Sequence, residues 1–338
     1  MEKSQWIKVR QIFDHVRDQS PSFRTNYLDM VCDGDDALQH QVERMLRAHD
    51  DMQNEQETAS FSFGNSQVPQ RIGDYQIDSE LGRGGMGVVY RAVHQHYGTV
   101  ALKVLPVRLL QDQRASKRFA QEASLLAKLN HPIVCAIHDA GVDSDYAYMA
   151  MDVIDGCTLA HELSQHPLPL IEALDITLQL ADGLTQAHAV GVTHRDIKPS
   201  NVLLDNQRYP RLIDFGIAKF ADTRLTATGE LMGSPAYMSP EQWRGTAVDA
   251  RTDVWSLGVL LYEMIAGQPP FSGDSIRDMA QNVLSGTSPP LPGISIDEQP
   301  LHETQQVIFR MIERDRDLRL SDMTAVTAAV SALKRNLY

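Results

Sequence analysis

The spacing of hydrophobic residues changes along the chain, and each change marks a different kind of element. Trp6, Val9, Ile12, Phe13 and Val16 recur at helical intervals. Ser20-Pro21 marks a fresh start, and Phe23, Tyr27, Leu28 and Val31 carry a second stripe. After a break at 32–35, a third runs through Leu38, Val42, Met45 and Leu46. Residues 1–50 therefore predict three short helices, a small packing or interaction module without a catalytic constellation. Residues 51–70 are rich in Gln, Ser and Asn and predict a flexible linker.

From Ile72 the period falls to two. Residues 74–105 predict three strands joined by a Gly-rich turn and a His-Gln-His-Tyr-Gly turn. In the third strand Val100, Leu102 and Val104 share one face, and Ala101 and Lys103 share the other. Residues 114–130 return to helical spacing with Phe119, Leu126 and Leu129. Two further strands are expected over 133–141 and 146–156. Beyond Thr158 the spacing is helical again, through Leu170, Ala173, Leu174, Leu178, Ala181 and Leu184. The short runs 201–205 and 210–214 predict a hairpin. Residues 214–241 form a long polar loop holding Thr223, Thr226 and Thr228, and loops of that length are usually functional or disordered. Residues 252–267 are apolar nearly all round and predict a buried central helix. The remainder reads as helical scaffold, so the chain is α+β.

Composition narrows the function classes. The chain has 338 residues and a net charge of −13, which argues against a general nucleic-acid binder. Cys32, Cys135 and Cys157 are odd in number and lack C-x-x-C spacing, so neither a disulfide framework nor a zinc site is expected. Cys135 reads as a core filler and Cys157 as an inert thiol. The N-terminus has no signal-peptide core, and the longest apolar stretch is too short to span a bilayer and carries Glu263. A soluble cytoplasmic protein with no membrane segment in this chain is the expectation.

The candidate chemistry gathers in residues 192–216. Asp196, Lys198 and Asn201 stand at i, i+2 and i+5, and Asp214 is followed by Phe215 and Gly216. The hairpin between them brings both loops to one edge. A carboxylate, an ammonium, an amide and a second carboxylate are equipment for holding Mg²⁺ and a phosphate chain beside an attacking hydroxyl. Gly82, Gly84 and Gly87 give G-x-G-x-x-G, a spacing shared with dinucleotide sites. Here Val88, Val89 and Tyr90 follow, so the glycines cap a hairpin rather than open a helix, and a Walker P-loop is absent. Lys103 is either an edge-strand lysine facing water or a residue with a buried partner. Glu122, on the apolar stripe of the following helix, is the expected partner.

The ordered set G-x-G-x-x-G-x-V, V-A-L-K, a helical Glu, H-R-D-x-K-x-x-N, D-F-G and S-P-E is the protein-kinase signature. The chain resembles eukaryotic-type (Hanks-type) protein kinases over 72–338, and within them the bacterial serine/threonine kinases. The N-terminal stripes are similar to helical segments that precede some bacterial kinases. The resemblance implies a bilobal kinase fold over 71–338. A small antiparallel β lobe with one helix (71–154) would join a larger, mainly helical lobe (155–338), preceded by the helical segment and linker.

It implies site roles as well. Lys103 would hold the α- and β-phosphates and pair with Glu122. The backbone of Gly82, Arg83, Gly84, Gly85, Met86 and Gly87 would cover the phosphates. Asp152 C=O and Ile154 N–H would meet the adenine, with Met151 at the back wall. Leu81, Val89, Ala101 and Leu203 complete the ATP site. Asn201 and Asp214 would bind Mg²⁺, with Mn²⁺ as an alternative. Asp196 would orient the acceptor hydroxyl and take its proton, and Lys198 would neutralise the moving phosphoryl group.

Asp-Ile-Lys-Pro-Ser-Asn resembles kinases with Ser/Thr acceptors. Ser234 could bridge Asp196 and Lys198. Thr226 and Thr228 match activation-loop phosphorylation sites, which phosphorylation would order through Arg195. Glu241 and Arg319 match a buried ion pair. Expected partners are proteins with Ser/Thr acceptors and a second copy of the chain for autophosphorylation, with no nucleic acid. The competing classes are a pseudokinase scaffold and a small-molecule kinase on a related fold.

Overall fold

The computed structural model describes residues 69–84, 87–106, 123–143, 146–215, 235–273, 275–292 and 299–337, together with Leu28, Gln39 and Val42. The chain divides into two compact units, Met1–Val68 and Pro69–Tyr338. In the first, Leu28 and Val42 are helical and buried.

The second unit opens with an antiparallel sheet of β1 (Arg71–Ile72), β2 (Tyr75–Gly84), β3 (Gly87–His94), β4 (Gly98–Pro106), β5 (Ile137–Asp143) and β6 (Tyr146–Met151). Their order is β1-β2-β3-β4-β6-β5. Pairing of Gly84 with Gly87 puts the glycine motif at the β2–β3 tip. A Cβ on Gly87 would lie 2.2 Å from the Val104 carbonyl oxygen, so only glycine fits there. The two-residue period works out as expected. Val88, Tyr90 and Ala92 face Val104, Leu102 and Val100 across the β3–β4 pair, and all six are buried. On the other face Val89 lies opposite Lys103, Ala101 opposite Met151, and Lys103 opposite Met149. β4 is an inner strand, flanked by β3 and β6, so Lys103 is not an edge lysine.

The strand expected over 133–141 is divided. Cys135 N–H donates to Leu212 C=O (2.9 Å) and Leu212 N–H to Ile133 C=O (2.6 Å), so the first half pairs away from the large sheet. Only from Ile137 does the chain pair with β6. Alternation alone cannot tell which partner a strand will choose.

A small sheet of β7 (Gly156–Thr158), β8 (Val202–Asp205) and β9 (Pro210–Leu212) contains the expected hairpin, with Val202 opposite Leu212. The described helices are α1 (Leu159–Leu163), α2 (Leu170–Ala189), α3 (Pro240–Trp243), α4 (Arg251–Ala266), α5 (Ile276–Ser285), α6 (Gln299–Met311) and α7 (Met323–Arg335). α4 is buried from Thr252 through Tyr262, the central helix that its apolar circumference predicts. Gly258 lets it approach α6: a Cβ there would sit 2.7 Å from Met311 Cβ. Gly267 ends α4 in the left-handed conformation. One apolar cluster runs from Ala101, Leu105 and Met149 of the large sheet through Leu174 and Leu180 of α2 to Leu257 and Leu260 of α4. Among the described residues no helix is long and apolar enough to cross a membrane.

Candidate active site

The loop carrying Asp196 is hung from α4 by a carboxylate. Main-chain N–H groups of His194 and Arg195 donate to Oδ2 and Oδ1 of Asp253, each at 2.8 Å. His188 Nε2 lies 2.8 Å from the same Oδ2. Asp253 is fully buried, and these contacts satisfy its two oxygens. Arg195 takes φ 64°, a left-handed turn that sets up the next residue.

His194 links this loop to the Asp214 loop. Its Nε2 lies 3.0 Å from Ile213 C=O, and because a carbonyl only accepts, Nε2 carries the hydrogen. Nδ1 accepts from Asp196 N–H at 3.3 Å. The ring packs on Phe215 with centroids 4.5 Å apart. Burial holds this imidazole below its ordinary pKa against the nearby Asp253 charge, keeping the neutral form that can accept at Nδ1.

The four sequence candidates meet across the hairpin. Lys198 Nζ lies 3.0 Å from Asp196 Oδ2. Asn201 Nδ2 donates to Asp196 C=O (2.8 Å) and to Oδ2 (3.0 Å). Ile213 N–H donates to Asn201 C=O (3.0 Å), which brings the second loop alongside. Asp214 itself has φ 58°. Lys103 Nζ is 2.7 Å from Asp214 Oδ1. Glu122 lies outside the described residues, and the acidic partner seen at Lys103 is Asp214. A cavity between the sheet and this loop is lined by Lys103, Cys135, Met149, Met151, Asp214 and Phe215, among others.

The remaining candidates lie around that cleft. Val89, Ile154 and Leu203 are half-buried, Ala101 and Met151 are buried, and Leu81 and Gly82 are exposed at the glycine turn. Arg83 pairs with Glu80 at 2.7 Å. Asp152 N–H donates to Ala136 C=O at 3.1 Å, fixing the start of the segment that leaves β6. Gly85, Met86, Thr226, Thr228 and Ser234 lie outside the described residues, and Gly84 ends β2 at the glycine turn.

The oxygen donors suit a magnesium ion. Asn201 commits its amide nitrogen to Asp196, so its side-chain carbonyl oxygen is the end that would ligate a metal. Asp214 adds a carboxylate, and two hard oxygen donors fit an ion that shares its coordination with phosphate and water.

A second hollow, bordered by Lys198, Ser200, Tyr237 and Glu263, opens beside the Asp196 loop. Tyr237 OH donates to Glu263 Oε2 at 2.6 Å. Burial pushes the Glu263 carboxyl up, opposed by that hydrogen bond. The Glu241–Arg319 pair is present, with Nη1–Oε1 2.8 Å and Nη2–Oε2 3.0 Å, and both side chains are buried. Cys135 is buried, and burial pushes its thiol up to about 12, so it is a core residue and not a reactive one.

Sequence reasoning missed Asp253, His188 and the bracing role of His194. For Asp253 the signal was available: a carboxylate inside a helix apolar nearly all round needs a partner. Asp253→Asn turns one acceptor into a donor facing a main-chain N–H. It is expected to cost about 1–3 kcal/mol in urea unfolding; wild-type stability in that variant would remove Asp253 as the anchor.

A family model described as the protein kinase domain matches residues 75–331. The chain belongs to the protein kinase family. It is 40% identical over 244 residues to serine/threonine-protein kinase PknB of Mycobacterium leprae, covering 68% of this chain and 39% of that protein. It is 40% identical over 228 residues to serine/threonine-protein kinase PkaA of Streptomyces coelicolor, covering 62% and 42%. The chain thus spans about two fifths of the length of these relatives. The crystal structure of the Mycobacterium tuberculosis PknI kinase domain superposes with a TM-score of 0.64 at 27% identity, covering 79% of this chain and 100% of that one.

Proposed function

We propose that the chain is a serine/threonine protein kinase transferring the γ-phosphoryl group of Mg-ATP to hydroxyls of protein substrates. The observation that carries this reading is the convergence of Asp196, Lys198 and Asn201 with Asp214 across one hairpin, with Lys103 reaching Asp214 from the sheet. In the step proposed, the acceptor oxygen bonds to the γ-phosphorus and the bond from that phosphorus to the β,γ-bridging oxygen breaks. The hydroxyl proton passes to Asp196, and ADP leaves. Lys198 neutralises charge on the transferring group, and Lys103 holds the α- and β-phosphates. Asn201 and Asp214 would hold Mg²⁺, which supplies charge neutralisation at the phosphate oxygens. Asp152 C=O and Ile154 N–H read the adenine below Met151.

Several finer assignments belong to the same proposal. The kinase domain occupies 71–338, with lobes at 71–154 and 155–338, after a helical module (1–50) and linker (51–70). The protein works in the cytoplasm, with Mn²⁺ as an alternative metal. Self-association leads to autophosphorylation at Thr226 and Thr228, and Arg195 pairs with the added phosphate. Support comes from the family signature and the names of the relatives.

Incubation with labelled ATP, Mg²⁺ and generic protein acceptors tests the core of the reading. Label is expected on phosphoserine and phosphothreonine and in peptides containing Thr226 or Thr228. Absence of transfer to any protein would overturn the activity; transfer without label at either threonine would overturn only the autophosphorylation.

A further inference from the structure

The segment expected to read adenine begins at Asp152, and three separate contacts fix that residue from behind. Its N–H donates to Ala136 C=O at 3.1 Å. Its C=O accepts from Cys135 Sγ at 3.7 Å. Its carboxylate Oδ1 lies 2.8 Å from His138 Nε2. A carboxylate only accepts, so His138 carries its hydrogen on Nε2.

His138 reaches Asp152 because β5 is irregular there. Ile137 lies opposite Met151 and Asp139 opposite Ala150, so His138 is an extra residue in the ladder. A bulge of this kind leaves one residue unpaired and re-aims its side chain. The ring is then held on its flat side. Tyr97 stacks on His138 at 5.5 Å and 19°, and His94 stacks on Tyr97 at 4.7 Å and 24°. His94 in turn is pinned by its own turn, with Nδ1 accepting from the N–H groups of His96 (3.2 Å) and Tyr97 (3.4 Å). A chain of rings therefore runs from the β3–β4 turn to the first residue beyond β6.

We propose that His138 is a positioning residue for nucleotide binding: through Asp152 it fixes the main chain against which adenine is placed. The proposal rests on the assignment of Asp152 and Ile154 to the adenine site. His138 acts through Asp152, and its contacts are with Asp152 and Tyr97, so its loss is expected to act on the affinity for ATP and to leave the Asp196 loop unaltered. Glutamine restores the effect, because its side-chain nitrogen can occupy the place of Nε2 and donate to the same oxygen.

The test is steady-state kinetics with ATP as the varied substrate, on the full chain, together with equilibrium binding of a fluorescent ATP analogue. In His138→Ala the KM for ATP and the analogue's Kd are expected to rise about fivefold, the worth of one hydrogen bond, at unchanged kcat. In His138→Gln both return to within about twofold of wild type. An unchanged KM in His138→Ala overturns the proposal. So does a loss confined to kcat, or a glutamine variant no better than alanine. Ile154→Pro, which removes the N–H assigned to adenine, separates the two layers. Wild-type ATP binding in that variant would refute the adenine assignment itself, whereas its loss beside a silent His138→Ala would refute only the role of His138.

Discussion

Asp196→Asn is expected to lower kcat by about 10²- to 10⁴-fold at an ATP KM close to wild type. The substitution keeps the shape of the side chain and an oxygen for the Asn201 amide, which lies 3.0 Å from Oδ2. It removes the charge that Lys198 faces at 3.0 Å and, with it, the proposed proton acceptor. The loop keeps its course, because His194 and Arg195 are held through their main chain by Asp253. Loss of the proton acceptor therefore acts in the transition state more than in the ground state. Steady-state kinetics beside a thermal melt make the measurement. A folded variant with kcat within tenfold of wild type would show that Asp196 is not the base.

The second large effect is on stability. Arg319→Met is expected to cost about 3–5 kcal/mol, because it leaves Glu241 charged and buried without its partner. The arginine places four of its five hydrogens: on both Glu241 oxygens, on Glu313 C=O and on Arg251 C=O, with its guanidinium over the Trp255 ring. Thr252 Oγ1 adds a bond to Glu241 Oε1. Burial alone would raise the Glu241 carboxyl, yet Arg319, together with a main-chain N–H and Thr252, outweighs it and holds the folded pKa below the ordinary value.

A depressed carboxyl contributes stability above its unfolded pKa and loses it as pH falls through the folded pKa. In Arg319→Met the remaining buried carboxyl gains from protonation instead. The stability gap between wild type and variant should thus narrow as urea unfolding is moved from about pH 7 towards about pH 4. A gap that stays constant over that range would mean Glu241 is not the group left stranded.

Local patterns were readable in the sequence, and contacts across long separations were not. The alternation in β4 placed Val100, Leu102 and Val104 together and Lys103 opposite, because strand side chains alternate whatever the strand pairs with. The apolar circumference of α4 declared its burial for a similar reason. The Asp196 and Asp214 loops could be joined from sequence because only a short hairpin separates them. By contrast, Asp253 lies 59 positions from His194, and nothing in the spacing points one at the other. The split of the 133–141 strand depended on Leu212, far along the chain. The left-handed backbone at Arg195 and Asp214 was also invisible, since neither is a residue type that demands it.

The anchoring of the Asp196 loop has a consequence for how such a site can change. Asp253 grips peptide groups, and peptide groups are the same whatever side chains they carry. The amides of His194 and Arg195 should then rank among the slowest of the loop to exchange with solvent, even in variants whose chemistry is gone. Frame and proposed reagent are encoded apart: Asp253 of α4 holds the course of the loop at His194 and Arg195, and Asp196 and Lys198 would supply the chemistry. On the proposed roles, a sequence can lose or retune its chemistry at Asp196 and Lys198 without first having to rebuild the place where that chemistry would happen.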